Sequence, residues 1–216
     1  MTSPLTRRGV CLVVAAPSGA GKSTITRALL ATEPALSLSI SATTRPPRPG
    51  EQDGVHYHFQ TQTSFQALID GGAMLEWAEV FGRRYGTLRA PVEAALAQGR
   101  DVVFDIDWQG HAKLRAALPG DVVGVFVLPP SLSALEARLR GRASDPEPEI
   151  ARRMQAARSE IAHWAEFDHV VVNRTLDDAI ADIRAILHAA RCTKARQIGL
   201  AQFVDGFRNN STEGLA

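Results

Sequence analysis

Val10 to Ala15 is an unbroken apolar run that a strand buried on both faces would require, and Thr24 to Leu30 directly after it reads as helix. Leu36 to Ile40 alternates apolar and polar and predicts a short strand. Ser41 to Glu51 is polar and carries Pro46, Pro47 and Pro49, which exclude a helix. Val55 to Phe59 alternates again. Thr63 to Asp70 predicts a small amphipathic helix capped by Thr63 or Ser64 and stopped by Gly71-Gly72. Ala73 to Phe81 follows, and Gly82 to Thr87 is expected to be a turn. The stretch 38–87 thus reads as a strand-rich insertion.

Pro91 to Gln98 suits a helix with proline in its first turn and Gly99 beyond its end. Asp101 to Asp107 predicts a strand, Gln109 to Leu118 a helix, Val122 to Leu128 a strand and Leu132 to Arg140 a helix. Asp145-Pro146-Glu147 has the chemistry of a helix start, for a helix reaching about His163. A strand at His169 to Val172 and a helix from Leu176 to about Arg191 complete the pattern. From Thr193 the chain is polar, and Asn209 to Ala216 is expected to fray. Strands alternating with helices mean an α/β fold of three layers, a parallel sheet between helices. The expected division of this single domain is a core of 9–37, 88–128 and 166–192, the insertion 38–87, a helical segment 129–165 and a tail 193–216.

Composition narrows the partners. With 216 residues, 45% hydrophobic and 22% charged, the chain resembles an ordinary globular domain. A net charge of +1 argues against nucleic acid or anionic membrane as a global partner, and no apolar stretch approaches membrane-spanning length. Arg7-Arg8 before an apolar run does not make a signal peptide, because the run leads straight into a glycine-bearing turn. The two cysteines, Cys11 and Cys192, form neither a disulfide framework nor a metal spacing, so a reducing, cytoplasmic setting is expected. The six histidines make no metal motif. The sequence leaves open whether the chain forms a homo-oligomer.

Ala16-Pro17-Ser18-Gly19-Ala20-Gly21-Lys22-Ser23, set between strand and helix, is the chemistry of a P-loop. Its backbone N–H groups would wrap a polyphosphate, Lys22 would neutralise outer charge and the Ser23 hydroxyl would hold Mg²⁺. Ala16 stands where the general pattern has glycine. Arg45 and Arg48, in the proline-stiffened loop, suit phosphate oxygens. Tyr57 and Tyr85, the two tyrosines of the chain, lie in the same insertion and offer hydroxyl donors. Glu76 and Asp107 match the N1–H and N2–H₂ donors of guanine, and Ser41 and Thr87 match its O6. Asp105, closing an apolar strand, is expected to orient Mg²⁺. Two apart on that strand, Asp105 and Asp107 would share a face, which leaves their division of labour open.

The run Ser39-x-Ser41-x-Thr43-Thr44-Arg45-x-x-Arg48-x-Gly50-Glu51-x-x-Gly54-x-x-Tyr57-x-Phe59 resembles the acceptor signature of guanylate kinases. Leu75-Glu76-Trp77-Ala78, Tyr85-Gly86-Thr87 and Asp105-Ile106-Asp107-Trp108-Gln109-Gly110 are similar to the same family, especially its bacterial members, which commonly carry alanine where Ala16 stands. The likeness runs from about Val10 to His188. It implies a P-loop fold with a GMP-binding insertion and a helical lid, and the Mg²⁺-dependent reaction of ATP with GMP to give ADP and GDP. ATP would meet Ala16 through Ser23, with Asn173 near its adenine. GMP phosphate would meet Arg45, Arg48, Tyr57 and Tyr85, with Glu51 in the same signature. Guanine would meet Ser41, Glu76, Thr87 and Asp107. Lys22, Arg45 and the lid arginines Arg138, Arg142 and Arg153 would serve the transfer, although the lid here reads Gly141-Arg142-Ala143 in place of Gly-Arg-Gly. A phosphate monoester has its second pKa near about 6, so no catalytic base is expected. The alternatives are a kinase for another nucleoside monophosphate and a non-catalytic phosphopeptide-binding module. The intact Lys22 and Ser23 speak against the latter.

Overall fold

The computed structural model describes residues 6–80, 82–141 and 146–210. Its central sheet is parallel and is built around β2 (Cys11–Ala15), all five residues of which are buried. The strand order is β10 (His169–Val172), β9 (Val122–Leu128), β2, β8 (Asp101–Phe104) and β3 (Leu36–Leu38). Successive side chains of β2 point to opposite faces, and each face has its own apolar layer. Leu12 and Val14 pack with Ile25 and Leu29 of α1 (Lys22–Thr32) and with Ala179, Ile183 and Leu187 of α7 (Leu176–Arg191). Cys11, Val13 and Ala15 pack with Val92 and Leu96 of α3 (Arg89–Ala97), Leu114 of α4 (Trp108–Ala117) and Phe167. Burial pushes the Cys11 thiol up to about 12, which makes it an inert core group.

A second, four-stranded sheet has the order β5 (His58–Phe59), β4 (Ser41–Thr43), β7 (Arg83–Leu88) and β6 (Met74–Val80). One face is covered by α2 (Gln62–Asp70), through the fully buried Phe65. The expected turn at 82–87 is therefore a strand, paired on both sides. Its Gly86 is needed there, because a Cβ would stand 2.7 Å from the Glu76 carbonyl oxygen and 3.3 Å from the Phe65 ring. The expected strand at Val55 to Phe59 is reduced to β5, since residues 52–56 turn and His56 N–H bonds to the Gln52 carbonyl. The cap of α2 is Thr61, whose hydroxyl accepts from Ser64 N–H at 3.0 Å.

The helical segment comprises α5 (Leu132–Arg140) and α6 (Glu147–Ile161), continued by a 3₁₀ turn at Ala162–Glu166. Leu135 and Leu139 meet Ile150 and Ala157 over Ala20, so both helices share a small core with the loop after β2. Asp145, Ala143 and Arg142 lie outside the described residues.

Beyond α7 the chain is more ordered than its polarity predicts. β11 (Gln197–Ile198) pairs antiparallel with β1 (Thr6–Arg7), and α8 spans Leu200–Asn210. The anchoring contacts are polar and reach residues far apart in sequence. Buried Arg196 donates to the carbonyls of Gly9, Gly120 and Asp121, while Asp121 also binds Arg8 at 2.7 Å. Alongside, fully buried Asp101 takes Arg7 and Arg191, and Arg191 continues to Glu33. Hydrogen bonds from Arg191, His188 and Arg184, with the Arg191 charge, outweigh burial at Glu33 and hold its carboxyl at about 2. No helix among the described residues is long and apolar enough to cross a membrane.

Candidate active site

The loop after β2 leaves the sheet at its carboxyl edge, where open α/β sheets hold ligands. Gly19 and Gly21 have φ of 92° and 107°, a region that only glycine adopts without strain. Space enforces the same choice. A Cβ on Gly19 would press on Leu139 at 2.9 Å, and one on Gly21 would fall 2.5 Å from Asn173 Nδ2. Ala16, by contrast, packs its methyl group against the core. The back of the loop is clamped. Asn173 Nδ2 donates to the Ala20 carbonyl at 2.8 Å, and Arg138 donates to the same carbonyl at 3.4 Å and to that of Asn173 at 3.0 Å.

Front and back of the loop open on different spaces. In front is a cavity of about 320 Å³ lined by the loop itself, Ser23, Arg27, Asp107, Trp108 and Glu160. Behind is a wider recess of about 450 Å³ reached by Gly19, Gly21, Arg138 and Asn173. The Oδ1 of Asn173 is buried without a hydrogen-bond partner among the described residues, an acceptor waiting for a donor.

Asp105 and Asp107 are placed differently from their expected shared strand face. β8 ends at Phe104, and the chain turns because Asp107 caps α4, its Oδ1 accepting from Gly110 N–H at 2.9 Å. Asp105 is thereby free to pair with Lys22, Nζ to Oδ1 at 2.5 Å. The same residue lines a third, smaller cavity of about 170 Å³, together with Ser41, Tyr57 and Thr87.

Register in the four-stranded sheet sets the wall of that cavity. Ser41 is opposite Thr87, and Thr87 is opposite Glu76, so the three form one row across adjacent strands. The Thr87 hydroxyl donates to Glu76 Oε1 at 2.7 Å, so its single proton is already committed and Ser41 is the hydroxyl left for a carbonyl such as O6. Burial raises the Glu76 pKa despite that bond, and the charge of Asp107 adds to the effect.

Arg45 lies at the rim. Its guanidinium reaches both oxygens of Glu51 at 2.7 and 2.9 Å and sits 5.2 Å from the Tyr57 ring centre. Tyr57 meets Tyr85 edge-on at 6.2 Å. Glu51, also bonded by the Arg48 N–H, is held below the usual carboxylate range by Arg45. Its placement makes it the support of Arg45, with both oxygens engaged. The Arg48 side chain is exposed beside it. Among the arginines expected on a lid, Arg138 touches the loop, Arg153 donates to Glu149 at 3.1 Å and Arg142 is outside the described residues.

Sequence reasoning passed over Arg27, Glu160 and His163, and gave Trp108 no role beyond its place in a motif. Trp108 stacks on His163 at 3.5 Å with planes 7° apart, joining the start of α4 to the 3₁₀ turn after α6. Glu160 Oε2 accepts from Ser18 N–H at 3.3 Å. These contacts join residues remote in sequence, and no local motif announces them.

Comparison with known proteins agrees with this geometry. The family model described as guanylate kinase matches residues 8–190. A guanylate kinase of Gluconobacter oxydans is 63% identical over 203 residues, 94% of this chain and 98% of the other. One from Rhodospirillum rubrum is 55% identical, covering 94% of this chain and 93% of the other. The crystal structure of guanylate kinase from Anaplasma phagocytophilum superposes with a TM-score of 0.72 at 33% identity, over 93% of this chain and 96% of that one. A P-loop facing a row of serine, threonine and glutamate, on a chain matched over nearly its whole length, identifies a member of the guanylate kinase family.

Proposed function

We propose that this chain transfers the γ-phosphoryl group of ATP to GMP, giving ADP and GDP. The observation that carries the reading is the 105–107 loop. Asp105 pairs with the P-loop lysine and lines the smaller cavity, while Asp107 lines the P-loop cavity and acts electrostatically on Glu76. One three-residue loop thus belongs to both pockets, which is what in-line transfer between two bound nucleotides needs.

Each residue then has a role that its surroundings support. P-loop N–H groups and Lys22 hold the triphosphate, and Arg138 braces the loop from behind. The orphan Oδ1 of Asn173 suits the amino group of adenine. Ser23 and Asp105 offer hard oxygen atoms, the donor type Mg²⁺ prefers alongside phosphate oxygens and water. The ion would supply charge neutralisation at the transferring group. Arg45, Arg48, Tyr57 and Tyr85 would fix the GMP phosphate, with Glu51 keeping Arg45 aimed. Glu76 and Asp107 would accept the guanine N–H donors. Those donors stabilise the ionised carboxylate that burial disfavours at Glu76, so base recognition and charge are linked. AMP presents no such pair of donors and would leave a buried carboxylate unpaired.

The GMP phosphate is already nucleophilic at neutral pH, so the protein aligns and neutralises, and no base is assigned. The test is an acceptor panel of GMP, AMP, UMP and dTMP with MgATP, read as ADP formed. GMP is expected to exceed each other acceptor by about a hundredfold or more in kcat/KM. AMP outperforming GMP would overturn the assignment.

A further inference from the structure

A P-loop attracts anions through its backbone N–H groups, and one of these groups is already taken by an anion of the protein itself. Ser18 N–H donates to Glu160 Oε2 at 3.3 Å, and Glu160 lines the same cavity as the loop, Lys22 and Ser23. The carboxylate is not a wandering surface acid. It sits in the last turn of α6, and three residues on His163 is stacked face to face on Trp108 at 3.5 Å. Ala157, one turn before Glu160, is fully buried in the small core that α5 and α6 share with Ala20. Packing on both sides of Glu160 in the chain therefore delivers its carboxylate to the loop.

We infer that Glu160 is a positioning residue that stands in for a nucleotide phosphate oxygen on the P-loop and is displaced when the triphosphate binds. The inference rests on the P-loop holding nucleotide phosphates, as proposed above. Two consequences follow from charge and geometry. A carboxylate on Ser18 N–H keeps that group oriented while the site is empty, and it ties the end of α6 to the loop. An incoming polyphosphate must take the same N–H group while meeting a negative charge close by, so nucleotide affinity is lower than the loop alone would give.

The test is calorimetric titration of the full chain with MgADP and with inorganic pyrophosphate, for the wild type, Glu160→Gln and Glu160→Ala. Glu160→Ala is expected to bind both probes about three- to tenfold more tightly, since a charge-assisted competitor is gone. Glu160→Gln keeps the shape and loses the charge, and should fall between Glu160→Ala and the wild type. GMP affinity should stay within about twofold in all three, and the gain should shrink at high salt. A purely structural role would leave probe affinity unchanged or weaken it as α6 loosens, and either result overturns the inference. Wild-type turnover of GMP reports separately on the proposed function. A protein that phosphorylates GMP but shows no tightening rejects the role of Glu160 alone.

Discussion

The P-loop side of this protein is made of backbone and the acceptor side of side chains. On the P-loop side, Gly19 and Gly21 hold positive φ against Leu139 and Asn173, and buried contacts grip the loop from behind. On the acceptor side, Ser41, Thr87 and Glu76 form a row on a sheet, and Arg45 reaches the rim through an ion pair with Glu51. Backbone N–H groups recognise polyphosphate whatever nucleoside carries it, whereas a placed carboxylate chooses a base. Thr87 and Glu76 of the choosing half are buried, whereas the general half leaves Ser23 exposed and Ser18, Gly19, Gly21 and Lys22 part-exposed. Damage to the general half should abolish turnover for every acceptor, and damage to the choosing half should change which acceptor is used.

Three experiments press on that contrast. Lys22→Ala removes the cation proposed to face the triphosphate, and kcat should fall by about a hundredfold or more while GMP affinity holds. Unchanged turnover would erase the distinction at its strongest point. Glu76→Gln replaces a buried acceptor with a group that also donates. The GMP KM should rise by about tenfold, with the ATP KM within about twofold. A comparable rise in both constants would mean that the two sides are not separable.

The smallest effect concerns the support that the two sides share. His111 of α4 is 1% exposed, stacked on Phe167 at 4.1 Å, and neither ring nitrogen has a hydrogen-bond partner among the described residues. Burial, with Arg115 adding to it, pushes its pKa down to about 4. Between about pH 6.5 and 4 the unfolded chain takes up a proton that the folded one refuses, so stability falls as pH falls through that window. The loss should approach about 3 kcal/mol near pH 4, at about 1.4 kcal/mol per pH unit. Below that range Glu33, held at about 2, protonates and weakens its clamp on Arg184, His188 and Arg191. Denaturant midpoints at pH 7 and 4.5 should differ less in His111→Leu than in the wild type. Equal differences would remove His111 as the cause.

Legibility followed the range of the contacts. The P-loop is written in eight consecutive residues, because strand, turn and helix start are all local events. The alternating strand-helix order was equally plain, as each strand of the central sheet carries its own apolar run. β7 was misread because Gly82 and Gly86 look like turn residues, whereas Gly86 is small to let β7 lie against β6 under Phe65. The end of β8 had a readable sign, Asp107 three residues before Gly110, but the strand's apolar centre drew attention past it. The row of Ser41, Thr87 and Glu76 depends on register, which alternation alone does not fix. Ordering of the tail escaped the pattern for a different reason. Its anchor is the buried guanidinium of Arg196 among carbonyls over 70 residues earlier in the chain, and polarity by itself reads as solvent-facing.

That anchor also shapes what can be attached to the protein. Thr6 pairs with Ile198 and Arg7 with Gln197, so the first described residues are stitched to the segment between α7 and α8, just before β2 begins. The P-loop cavity opens past the other end of β2, about 17 Å along a five-residue strand. A tether to a surface, or a fusion partner joined near residue 6, would leave from the edge opposite the proposed site and hold that face outward.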